Sequence, residues 1–247
     1  MRYLVLTDIH GNLEALEASL ADAAPRQYDQ VLVLGDLVGY GADPNGVVDR
    51  VRALSPLAMV RGNHDKVASG IEDAEGFNQV ARSAARWTFE TLRPENREYL
   101  AALPIGPTVV DDLIEICHGS PFDEDAYIFD ELDALRALKA AGRPLCLFGH
   151  THLPVAYVLS DGGLEASGPA PGTESVVALV EGARYLINPG SVGQPRDGDP
   201  RAAYAIVDAG TRRILLYRVA YAVEEAQAKV VKAGLPETLA HRLALGR

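Results

Sequence analysis

Read from its N-terminus, the chain alternates short unbroken apolar runs with stretches whose apolar residues recur every three or four positions. The run Arg2-Tyr3-Leu4-Val5-Leu6 has an apolar core without interruption and predicts a buried strand over 2–7. A helix is predicted over 12–23, with Leu13, Leu16 and Leu20 on one face. Gln30 to Asp36 predicts a second buried strand ending in a carboxylate. Asp43-Pro44-Asn45 reads as a helix start, and Val47, Val48, Val51 and Leu54 supply its apolar face. A third strand, Leu57 to Val60, ends in Arg61-Gly62-Asn63-His64-Asp65. Strand, helix, strand, helix, strand is the rhythm of a layered α/β domain.

Residues 66–103 break that rhythm: small, charged and aromatic residues mix, as expected of a helical insertion. Strands are predicted again at 108–111 and from Leu113 to Cys117, the latter ending at His118. A helix from Asp130 to Ala141 precedes a strand from Pro144 to Phe148, which ends in Gly149-His150-Thr151-His152. Further strands are expected near 155–159, 175–180 and 184–187, with turns at Asp161-Gly162-Gly163 and Glu181-Gly182. A Gly/Pro-rich loop from Asn188 to Pro200 leads to strands near 203–208 and 212–219. Two short C-terminal helices over 223–245 are broken at Gly234-Leu235-Pro236. With no internal repeat, the pattern predicts one domain over 1–247.

Composition narrows the function classes. Apolar residues make up 48% and charged residues 23%, an ordinary globular balance. The formal net charge of -11 argues against extensive nucleic-acid binding, which needs a basic surface. It leaves phosphorylated small molecules open, because bound divalent cations can dominate a local field. No apolar run reaches the length of a membrane span, and no signal-peptide pattern precedes the first strand. Cys117 and Cys146 each lie in an apolar run and read as reduced core residues, so a cytoplasmic protein is expected.

The chemistry gathers where the strands end: Asp8 and His10, Asp36, Asn63 and His64, His118, and His150 and His152. In open α/β sheets this edge is where ligands bind. In extended chain the side-chain period is two, which would point Asp8 and His10 the same way. Five of the six histidines belong to this set, which core packing alone does not explain; His241 reads as a surface residue. Imidazole and carboxylate without thiolate suit Mn, Fe, Zn, Co or Ni. There are more candidates than one ion needs, and a two-metal site with ions roughly 3.5–4 Å apart accommodates them.

The motifs Asp8-x-His10, Gly35-Asp36, Gly62-Asn63-His64-Asp65, His118 and Gly149-His150-x-His152 resemble the signature of the calcineurin-like metallophosphoesterase superfamily. The loop Asn188-Pro189-Gly190-Ser191-Val192 is similar to a segment of its small prokaryotic phosphodiesterases. The resemblance implies a four-layer αββα sandwich with two mixed sheets. It implies that Asp8, His10 and His152 hold one metal, that Asn63, His118 and His150 hold the second, and that Asp36 bridges them. His64 would be the catalytic acid or stabiliser near the leaving group. The implied activity is hydrolysis of a small phosphodiester, and also of monoesters, by a metal-bridging hydroxide, with manganese the first expectation. Gly39-Tyr40-Gly41 replaces the Asp-Arg-Gly continuation of the protein Ser/Thr phosphatases, which counts against a protein phosphatase. It leaves open what orients His64. A non-catalytic scaffold of the same fold is the alternative from another class. Around the core set, Tyr40 reads as a pocket wall or a turn aromatic, and Arg196 as a phosphate contact or a solvated loop residue. Asn12 and Asn188 read as ligand-orienting or capping residues, and Trp87 and Phe89 as packing or cleft walls. Substrate and oligomeric state stay open.

Overall fold

The apolar runs pair into two sheets of six strands each. The structure is a computed structural model that describes residues 1–170 and 172–247. The strands are β1 (Arg2–Leu6), β2 (Gln30–Val33), β3 (Ala58–Met59), β4 (Thr108–Val109), β5 (Ile114–Ile116), β6 (Leu145–Leu147), β7 (Val155–Ser160), β8 (Gly163–Ser167), β9 (Glu174–Ala178), β10 (Arg184–Asn188), β11 (Ala202–Asp208) and β12 (Arg213–Val219). The helices are α1 (Leu13–Ala23), α2 (Pro44–Leu54), α3 (Asn63–Ser69), α4 (Gln79–Thr91), α5 (Pro94–Ala101), α6 (Glu131–Ala140), α7 (Val223–Lys232) and α8 (Glu237–Leu245).

The first sheet has the order β3-β2-β1-β11-β12-β9, and the second β4-β5-β6-β10-β7-β8. Both are mixed. β1, β2 and β3 run parallel, while β11 joins β1 antiparallel with Leu4 opposite Ile206. In the second sheet β5, β6 and β10 run parallel.

Alternation along β1 sets the layering. Tyr3 and Val5 enter the core between the sheets, where they meet Ile114, Ile116, Leu145 and Leu147. Leu4 and Leu6 face the other way, onto Leu16 and Leu20 of α1 and Val47, Val48 and Val51 of α2. On the far side Cys117, Cys146 and Phe148 pack under Ala134, Ala137 and Leu138 of α6. Helix, sheet, sheet and helix therefore stack as four layers, the expected sandwich.

Each fully buried Leu, Val or Ile contributes about 1.5–3 kcal/mol. The sheet pair thus holds the loops at its edge in conformations they would not adopt alone.

Two expectations need correction. The expected turn ends at Gly162, and Gly163 with the unassigned residues after it forms strand β8 (Gly163–Ser167), paired with β7. The insertion starts three residues earlier than expected, because Asn63 is already the first residue of α3, after Gly62 as N-cap. Asn63 and His64 are therefore held by a helix rather than a loop.

Candidate metal centre

The parallel strands β1, β2 and β3 of one sheet and β5 and β6 of the other all end on one edge, and the loops leaving them converge. Two groups of ligand atoms result, Asp8 with His10, Asp36 and His152, and Asp36 with His118 and His150, each within 4.8 Å of one another. All six side chains are 4% exposed or less. Asn63 joins the second group, with Oδ1 3.4 Å from His118 Nε2. Each candidate ligand thus reaches one cluster, but not by the route expected for Asp8 and His10. β1 stops at Leu6, and Asp8 and His10 lie in the left-handed region at φ 52° and 49°. Their convergence comes from loop shape, not from strand alternation.

Of the nine non-glycine residues with positive φ among the described residues, five are Asp8, His10, Asp36, His150 and His152. Such conformations cost about 1–3 kcal/mol each and persist where the surroundings over-determine them. The surroundings here are a ladder of backbone bonds: Asp8 N–H to Gly35 O, His10 N–H to Asp36 O and Gly11 N–H to Leu37 O. From the 188–200 loop, Gly193 N–H and Ser191 Oγ both donate to the Asp8 carbonyl. Asn12 and Asn188 cap and orient at once. Asn12 accepts from Ala15 N–H and donates to Gly193 O. Asn188 donates to Gly149 O and Thr151 Oγ1, pinning the His150 loop.

Asp65 was not anticipated as a support, although it closes the Gly-Asn-His-Asp motif. Its Oδ1 accepts from Leu37 N–H at 2.9 Å and Val38 N–H at 3.3 Å, and its Oδ2 from Gly62 N–H at 3.0 Å. The carboxylate ties the Asp36 loop to the head of α3. Asp65→Asn is expected to lower stability by about 1–3 kcal/mol, since an amide cannot accept at both ends. Thermal unfolding of the two proteins checks this, and an unchanged midpoint would refute it.

Hydrogen bonds fix the imidazole tautomers. Nδ1–H of His10 donates to Val38 O at 3.0 Å, and Nδ1–H of His152 to Gln194 O at 2.6 Å. Their Nε2 atoms therefore carry lone pairs, yet lie 3.1 Å apart. Two lone pairs facing at that distance repel unless a cation lies against both. In the second group His118 Nδ1–H donates to Leu34 O, and His150 Nε2–H to Asp125 O, which turns His150 Nδ1 toward His118 Nε2 at 3.1 Å.

Titration follows the same geometry. Burial holds His10 and His152 well below the usual histidine range, and pushes His64 down to about 4. Burial and then the charge on His118 take His150 to about 3. Burial alone would lower His118 too, but the Asp36 carboxylate more than offsets it and holds that imidazole up at about 10. Four imidazoles and two buried carboxylates, without thiolate, suit borderline divalent transition metals. The residues fit the group.

The neighbours of His64 answer how it is placed. Its backbone N–H donates to Asp36 Oδ1 at 2.9 Å. Its ring packs against Tyr40 at 4.3 Å and Phe77 at 4.6 Å between centroids. Tyr40, also 4.8 Å from the His10 ring, is a wall of the centre. Trp87 packs with the cluster around Tyr40, while Phe89 is surface-exposed beneath Arg97. Tyr127 escaped the sequence reading; its ring stacks on His150 at 3.9 Å.

With this geometry in place, comparison with known proteins is decisive. A sequence profile of the calcineurin-like phosphoesterase superfamily domain matches residues 1–212. The chain belongs to this superfamily. Within it, the chain is 39% identical over 245 residues to the Methanocaldococcus jannaschii protein MJ0912, covering 98% of this chain and 97% of that one. The crystal structure of a metallophosphoesterase from Sphaerobacter thermophilus superposes with TM-score 0.87 at 41% identity, covering 100% and 99% of the two chains. The hypothetical protein PH1004 from Pyrococcus horikoshii OT3 shares the fold at TM-score 0.79 and 22% identity, over 100% and 98%. The superfamily is metal-dependent, and this chain brings candidate ligand residues together in two clusters.

Proposed function

We propose that this calcineurin-like phosphoesterase hydrolyses a small phosphodiester, and monoesters as secondary substrates, with two divalent cations. The observation that carries the proposal is the position of Asp36. Its Oδ2 lies 3.5 Å from His10 Nε2 and 3.4 Å from His118 Nε2, between the two donor groups. Asp8, His10 and His152 would hold one cation, Asn63, His118 and His150 the other, and Asp36 both. Bound there, the cations would neutralise phosphoryl oxygens and supply a hydroxide nucleophile at neutral pH, manganese being our first choice of metal.

The chain's own residues do the rest. Backbone carbonyls of Val38, Leu34, Asp125 and Gln194 hold four imidazoles in the tautomer that presents a lone pair. His64 lies outside both ligand groups, and we assign it the leaving-group side, where its imidazole would stabilise or protonate the departing oxygen. Among the described residues no helix is long and apolar enough to cross a membrane. The free cysteines Cys117 and Cys146, 3.6 Å apart at sulfur, suit a reducing compartment, and we place the protein in the cytoplasm.

Hydrolysis of bis(p-nitrophenyl) phosphate should appear with Mn, Fe, Zn, Co or Ni, vanish with chelator and return with metal. His150→Ala should remove most of it. No hydrolysis with any of these metals across a broad phosphoester panel would sink the proposal and favour a non-catalytic scaffold.

A further inference from the structure

Helix α3 carries a buried charge that neither donor group uses. Lys66 follows Asn63 by three positions, and its side chain is 1% exposed. The ammonium lies 2.6 Å from Asp125 Oδ2, 3.0 Å from Glu72 Oε1 and 3.3 Å from Glu124 Oε1. Taking a lysine out of water is costly even when it is paired, and an apolar side chain of similar volume often serves stability as well. Stability alone therefore does not account for an ammonium at this position.

What the ammonium holds is the loop after His118. Residues 119–127 fold back on their own start, with Gly119 N–H donating to Glu124 O at 3.0 Å and Ser120 N–H to Asp123 O at 2.9 Å. Gly119 is required there, because a Cβ would stand 2.6 Å from Glu124 O and 2.7 Å from Ala126 O. Two cations flanking the start of α3 fasten this loop. Arg61 donates from Nε and Nη2 to the two Glu124 oxygens at 3.0 Å and 2.8 Å, and Lys66 takes Asp125.

The same loop holds His150. Asp125 O accepts from His150 Nε2–H at 3.0 Å, and the Tyr127 ring stacks on the imidazole at 3.9 Å. An imidazole held at Nε2 presents Nδ1, which lies 3.1 Å from His118 Nε2. Asn63 brings its Oδ1 to 3.4 Å from that same His118 atom. Lys66 thus shares a helix with one member of the second donor group and reaches another through a single residue. We propose that Lys66 is a positioning residue for the second cation: it clamps Asp125, whose carbonyl fixes the tautomer and orientation of His150 relative to Asn63. This rests on the two-cation phosphoesterase reading above.

The test is calorimetric titration of the metal-free protein with Mn. The wild type should show two binding events, one of which His150→Ala abolishes. Lys66→Met, which keeps the bulk of the side chain and loses its charge, should weaken that event about 10- to 100-fold and leave the other unchanged. Asp125→Ala should do the same, and its side chain is 45% exposed, so the inference does not depend on Lys66→Met folding. By field alone the two variants would act oppositely, the first tightening a bound cation and the second loosening it. Loss in both is the signature of position. The double variant should lose no more than the worse single one, since both changes break one link. An event unchanged or tightened in either folded variant, equal weakening of both events, or additive losses in the double variant would overturn the assignment. If the wild type binds fewer than two ions, the two-cation reading fails instead. Imidazole nitrogen NMR of the metal-free protein then decides for Lys66 alone. His150 should be in the Nε2–H form in the wild type and a mixture of tautomers in both variants, and any other pattern overturns the clamp.

Discussion

Asp36→Asn is expected to reduce metal-dependent phosphodiester hydrolysis by at least about 1,000-fold, because the loss removes several kcal/mol of transition-state stabilisation. The carboxylate makes two unrelated commitments. Oδ1 accepts from His64 N–H at 2.9 Å, and Oδ2 faces His10 and His118. An amide can keep only one of them. If its oxygen stays on His64 N–H, an NH2 group points at the histidine lone pairs and repels a cation. If it turns over, the NH2 meets the His64 N–H and α3 is pushed away. The side chain is 1% exposed, so water cannot repair either arrangement. Metal analysis should show fewer ions per chain in the variant than in the wild type, with circular dichroism unchanged. Activity within about tenfold of wild type, with full metal content, would show that Asp36 is not shared.

How far the chain could be read in advance depended on where its information lies. β1, β2, β5 and β6 were legible because both faces are buried, so each is an unbroken apolar run closed by a polar residue. β8 was not. Gly163–Ser167 is an edge strand exposed along nearly its whole length, and an edge without a buried face carries no alternation. The start of α3 was hidden for the opposite reason. Asn63, His64, Asp65 and Lys66 look like a polar loop, yet the last three are buried. His64 faces the metal centre, Asp65 braces two loops, and Lys66 is enclosed by Glu72, Glu124 and Asp125.

The candidate donor cluster was legible because it repeats one local sign, a donor at the end of an apolar run. The reason given for its convergence was not sound. Period-two alternation ends with the strand, and left-handed backbone at Asp8, His10, His150 and His152 re-aims the side chains.

Replacing His64 by Asn is the other change expected to have a large effect, and its signature differs from that of Asp36→Asn. Metal content should stay at the wild-type level, because His64 belongs to neither ligand group. The kcat should fall by about 100- to 10,000-fold, the usual worth of a positioned proton donor. The absence of an acidic partner for His64 sharpens the expectation. Where the protein phosphatases of the superfamily orient this histidine with Asp-Arg-Gly, this chain has Gly39-Tyr40-Gly41. Gly39 lies at φ 90°, and a Cβ there would collide with His64 Nδ1. Tyr40 and Phe77 clamp the ring from the side, and the amide of His64 is anchored on Asp36. The ring is therefore placed by shape, with Nδ1 buried against Gly39 and Nε2 left to face a substrate. A donor to the leaving oxygen matters most when that oxygen is basic. The loss in His64→Asn should accordingly be larger for alkyl esters than for p-nitrophenyl esters, and smallest for a diphosphate, whose departing phosphate needs no proton. An equal loss across leaving groups would reduce His64 to a packing residue between Tyr40 and Phe77.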